Sequence, residues 1–255
     1  MSDYDRYANA RAGAGIARSA DSVDQGLRAY MLGVYNYMTL GVGLTGVVAY
    51  FTYLLADVHF VGARIVSASA FGQALYFSPL KWVVIFAPLA LVFGISAGRN
   101  AMSVSATRLV FIAFAALMGL SLSTVFLIYT QASIAQVFFI TAASFGALSL
   151  YGYTTSRSLS AMGSFLMMGV FGLIIASLVN LFVQSSAFQF GLSILTVLIF
   201  AGLTAYDTQA IKQMYLESDG YEAATKKSVN GALMLYLDFI NLFQQLLFLM
   251  GNRRG

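Results

Sequence analysis

The 255-residue sequence has no cysteine, one histidine and two prolines, and only 9% of it is charged. Each shortage removes a class of function. Without cysteine there can be no disulfide, no thiolate nucleophile and no Cys-ligated metal. One histidine, His59, cannot build a multi-histidine metal site. It lies in a polar stretch between apolar segments, so serine–histidine chemistry inside a membrane is excluded too. A soluble domain carries about 25% charged residues, which this chain does not approach. What is present is apolar: 59% hydrophobic residues, with a mean hydropathy of +0.78. The chain reads as an all-α polytopic membrane protein, since helices satisfy their own backbone in lipid. The net charge of +4 fits basic cytoplasmic loops rather than nucleic-acid binding.

A membrane span needs about 20 apolar residues. The first 28 residues are polar and of mixed charge, without the short apolar core of a signal peptide. Residues 1–30 read as a disordered cytoplasmic tail and 31–255 as one transmembrane domain. Seven spans are expected, near 32–55, 81–98, 108–129, 133–153, 162–183, 188–211 and 230–250. Residues 57–81 form the longest external loop; Pro79 stops a helix there, and Pro88 lies inside the second span. The third to sixth spans come from two long uncharged runs, broken near Tyr129–Ser133 and Gln184–Ser186. Ten of the fourteen Lys and Arg fall on one side if the N-terminus is cytoplasmic, which sets the orientation. Arg253 and Arg254 are then external if the seventh segment spans fully, and internal if it is re-entrant; full spanning is expected.

Two aspartates stand inside these apolar segments. Asp207 lies in LIFAGLTAYDTQAIK and Asp238 in ALMLYLDFINLFQQLLFLM. A charge in hydrocarbon costs at least a few kcal/mol, so an intramembrane aspartate marks a site. The two segments are joined by a cytoplasmic loop and are antiparallel, which brings both carboxyl groups to similar depth. Ser193, Thr196, Thr204 and Asp207 share one helical stripe, and Asp238, Asn241 and Gln245 share another. Two carboxyl groups in contact cannot both ionise cheaply, so they share a proton and titrate as a unit. Such a pair can act as a pH-dependent latch or accept a hard cation such as calcium. Alternatively, each aspartate bonds a neighbouring helix separately. Arg99, at the inner end of the second span, is either an interface anchor or a counter-charge for the pair.

The motifs AYDTQAIK at 205–212 and LYLDFINLF at 235–243, together with the seven spans, resemble the transmembrane Bax inhibitor motif (Bax inhibitor-1) family in its bacterial branch. The resemblance implies a central C-terminal helix wrapped by the other six, in a bacterial inner membrane. It also implies a pH-sensitive calcium leak, with Asp207 and Asp238 as the sensing pair and Arg99 as a latch. Some bacterial relatives instead modulate a membrane protease. The implied function is therefore a calcium (cation) leak channel, with a non-conducting modulator of a protease or other membrane complex as the alternative. The implied partners are the lipid bilayer, calcium and such a protease.

No enzyme and no cofactor are expected. Tyr206-Asp207 matches one half of an intramembrane aspartyl protease, but Asp238 lacks the Gly-x-Gly-Asp setting, and no Pro-Ala-Leu element follows. A retinal receptor needs a lysine deep in the last helix, which this chain does not have.

Overall fold

The structure, a computed structural model, describes residues 3–61, 64–98 and 102–254; side chains are described from residue 25 onward, except those at 93–98. Helix α1 runs Asp3–Ala56, continuous from the N-terminal stretch into the first span. The apolar part able to cross a membrane is Gln25–Ala56. Asp57, in left-handed backbone (φ 43°), then turns the chain into a small antiparallel hairpin, β1 (His59–Val61) and β2 (Arg64–Ser67). Helix α2 (Ala70–Gly72) follows and continues as a π-turn at Gln73–Phe77.

The expected long external loop is therefore structured. Ser69 explains much of this. Its hydroxyl donates to the α1 terminal carbonyls of Leu55 and Ala56 and accepts from the amide of Gly72, satisfying groups that both helix ends leave open. His59 lies in the hairpin, exposed, beside Asp57.

Pro79 ends the π-turn, and α3 begins at Leu80 and runs to Gly98 with Pro88 inside. The pieces Ala70–Phe77 and Leu80–Val92 meet at 64°, the geometry of a broken span or a re-entrant loop. The next crossing is α4 (Val104–Leu122) with its continuation α5 (Val125–Ile128). After it come α6 (Gln131–Thr154), α7 (Ser160–Val183), α8 (Ser186–Gln213) and α9 (Tyr221–Met250). Among the described residues six helical segments are long and apolar enough to cross a membrane, and the count reaches seven when the bent pair is taken as one span. The uncharged runs break where short polar residues cap the next helix: Thr130 accepts from the amide of Ser133, and Ser185 from that of Phe188.

Helix α9 sits at the centre, packed by α1, α4, α6 and α8, while α3 packs mainly on α4 and α7 mainly on α8. In the most apolar stretch of α9, 44% of the residues are buried, against 11–28% in the other five long spans. Its buried residues face several sides, as a helix surrounded by others requires.

At 30 residues α9 is about 45 Å long, enough to cross a bilayer completely. Its far end is tied to the break between α5 and α6. The amide of Thr130 donates to Asn252 O at 3.0 Å, and that of Arg254 to Ile128 O at 2.9 Å. The Arg254 guanidinium lies over the rings of Tyr53 and Phe60, beside the hairpin. The C-terminus thus reaches the end opposite the α8–α9 connection, which is full spanning rather than re-entry.

Candidate functional site

The local sequence sets up a close, rigid crossing around Asp207. Gly152 on α6 faces Ala205 on α8, where a Cβ would collide with the Ala205 carbonyl. Gly163 on α7 lies against the Tyr206 ring in the same way. Glycine at both positions lets three backbones approach, the usual device where helices associate in lipid. On the other side, Ile211 packs against Gly231 of α9. One to two turns further into the bundle, Asp207 and Asp238 meet within hydrogen-bonding reach of each other.

Both are buried: Asp207 is 8% exposed and Asp238 3%. Asp238 Oδ2 is fully buried and has no hydrogen-bond partner among the described residues. Buried polar atoms are nearly always satisfied, so an orphaned carboxylate oxygen is a functional pointer. Of the arrangements that the sequence left open, one pair or two separate attachments, the contact supports the pair.

The surrounding stripes do less than their spacing suggests. Ser193, Thr196 and Thr204 each donate to the carbonyl four residues back on their own helix. Asn241 likewise turns back to Leu237 O. In a helix this back-bonding satisfies a hydroxyl or amide without any partner helix. The polar links that do cross between elements come from neighbours of the aspartates. Thr208 Oγ1 is 2.9 Å from Ser149 Oγ, which is 2.6 Å from Tyr35 OH, a hydroxyl chain through α8, α6 and α1. Gln209 clamps the α6–α7 connection: it accepts from the Leu159 amide at 2.8 Å and donates to Arg157 O at 2.9 Å. Lys212 donates to Tyr153 O at 2.9 Å and lies over the Tyr153 ring.

Thr208 and Gln209 stand inside the 205–212 motif, so their place in it was the signal available for them. Tyr236, two residues before Asp238, carries a further buried link. Its hydroxyl is 2.7 Å from Thr45 Oγ1, which donates to Ala115 O at 2.8 Å. Nothing in its spacing singled it out.

Arg99 lies outside the described residues. Among the described residues neither aspartate makes a salt bridge. Nor does any cluster of three or more His, Cys, Asp or Glu form among them. A calcium ion at Asp207 and Asp238 would therefore take its remaining oxygens from water and carbonyl or hydroxyl groups, since it needs six to eight.

Comparison with known proteins adds the family context. Residues 27–255 match the family model described as "Inhibitor of apoptosis-promoting Bax1". The chain is 47% identical over 231 residues to uncharacterized protein RP147 of Rickettsia prowazekii, covering 91% of this chain and 92% of that one. It is 45% identical over 267 residues to an uncharacterized protein of Caulobacter vibrioides, covering 100% of both. It is 43% identical over 242 residues to the inner membrane protein YbhL of Escherichia coli K12, covering 92% of this chain and 97% of that protein.

Proposed function

Because the chain belongs to the Bax inhibitor-1 family, we propose that this integral membrane protein is a pH-responsive cation leak channel with calcium as its cargo. The observation that carries the reading is the contact between Asp207 and Asp238, buried between the central helix and its neighbour. With one proton between them, the carboxyl groups bond α8 to α9. With none, two negative charges face each other at short range. At 4 Å and an effective dielectric near 20, that repulsion is about 4 kcal/mol, several times the net value of an ordinary hydrogen bond. An energy of that size is enough to shift a two-state helix packing.

The ionised pair also offers two adjacent negative charges to a divalent cation, so protons and calcium compete for the same oxygens. The pair exchanges one proton with water: only a carboxyl O–H bond forms or breaks, and nothing else changes covalently. The reading places the N-terminus in the cytoplasm, on the side where ten of the fourteen basic residues fall.

The test is calcium flux into liposomes holding purified protein, measured across pH. Wild type is expected to pass calcium with a marked pH dependence. Asp207→Asn and Asp238→Asn each flatten that dependence, because an amide bonds the remaining carboxylate without a titratable proton. Wild-type flux that both variants leave unchanged would falsify the role of the pair. Silent liposomes, together with a co-purifying protease or other membrane complex, would instead support a non-conducting modulator.

A further inference from the structure

Helices α1 and α6 both pack on α9, and between them lies an open groove. It consists of two cavities of about 750 and 510 Å³ that share Val42, Gly43, Phe138 and Phe239, so they form one continuous channel along the bundle wall. From Arg28 at one end to Tyr50 at the other is 22 residues of α1, about 33 Å, which matches a hydrocarbon core of about 30 Å. The groove is kept open by glycine. A Cβ on Gly43, Gly46 or Gly146 would meet nothing within 4 Å. Elsewhere in this bundle, as at Gly152 and Gly163, glycine admits a neighbouring helix; here no neighbour is present.

The polarity of the lining is one-sided. Arg28 stands exposed at one mouth and has no acidic partner among the described residues. Among the residues lining the groove it is the one charged side chain. Further in, Tyr35 and Ser149 satisfy each other and offer a ligand little. The other end is lined by Tyr50, Phe126 and Gln131 without a cation. A transmembrane helix of a partner would meet apolar surface in the middle and need polar contacts at both ends. One cationic mouth above a long apolar trough instead fits an amphiphile with one anionic head.

We infer that the α1–α6 groove is a binding site for an anionic phospholipid, its headgroup on Arg28 and an acyl chain lying along Gly43 and Gly146. Basic pockets between spans hold anionic headgroups by the same electrostatics. This inference does not depend on ion conduction, and its readout is lipid retention rather than flux.

The test is native mass spectrometry of the purified full chain, equilibrated with equimolar phosphatidylglycerol and phosphatidylcholine in detergent. Wild type is expected to retain phosphatidylglycerol preferentially. Arg28→Gln lowers that preference about fivefold, the value of one basic group near a headgroup. Gly43→Phe with Gly146→Phe fills the trough and abolishes retention; a Cβ at either position meets no atom within 4 Å. Equal retention of the two lipids by wild type overturns the inference. So does undiminished retention by the filled variant. So does a wild-type dimer that the filled variant converts to monomer, since the groove is then an interface between copies. Should the filled variant not fold, a phosphatidylglycerol with a photoactivatable acyl chain decides on the wild type. Cross-links on α1 and α6 support the site, and cross-links confined to α7 overturn it.

Discussion

Gly152 and Gly146 lie six residues apart on α6, and alanine at the two positions should act in opposite directions. At Gly152 the added methyl falls roughly an ångström inside ordinary contact with the Ala205 carbonyl. The obstacle is backbone, so it cannot rotate away, and α6 and α8 must separate. Overpacking of this kind costs about 1–3 kcal/mol. Separation by an ångström also stretches two bonds across the same interface beyond useful length, Ser149–Thr208 and Lys212–Tyr153 O, both 2.9 Å. Each is worth about 0.5–1.5 kcal/mol. Against this, alanine gains about 1 kcal/mol over glycine in helix propensity. The loss wins, leaving Gly152→Ala about 3 kcal/mol less stable than wild type.

At Gly146 the methyl meets nothing, so only the propensity gain remains. Thermal unfolding followed by circular dichroism in detergent reads both. Gly152→Ala should melt roughly 6–12 °C lower, and Gly146→Ala at or slightly above wild type. If Gly152→Ala melts within about 2 °C of wild type, the close crossing that holds Asp207 in register is not there.

Tyr236 gives a smaller effect. Tyr236→Phe keeps the edge contacts with Phe111 and Phe114 but removes the bond to Thr45, and should cost about 1 kcal/mol in the same melting assay. Topology can be read without background labelling, because the chain has no cysteine. Ser158→Cys should react with an impermeant maleimide only from the cytoplasmic face and Asn252→Cys only from the opposite face. Reaction of both from one face contradicts a fully spanning α9.

The spans were legible from hydropathy because lipid imposes a length on any helix that crosses it, and each expected segment overlaps an observed one. Asp207 and Asp238 were legible because a carboxyl group in an apolar run is costly enough to stand out in one dimension. The loop at 57–81 was not, since its hairpin and π-turn depend on Ser69 reaching back to Leu55 and Ala56. The polar stripes misled for a related reason. Spacing puts Thr204 and Asp207 on one face, but it cannot say that Thr204 bonds its own backbone while Asp207 bonds another helix.

The sequence by itself determined the class of protein, the long apolar segments and the two aspartates, because each follows from the transfer cost of residues taken singly or in a run. Only the tertiary structure decided that the aspartates touch, that Gln209 and Thr208 fasten α8 to its neighbours, and that some glycines close the bundle while others leave a trough open. Those outcomes depend on which faces meet and how closely, and distances between helices far apart in the chain are fixed by packing rather than by local composition.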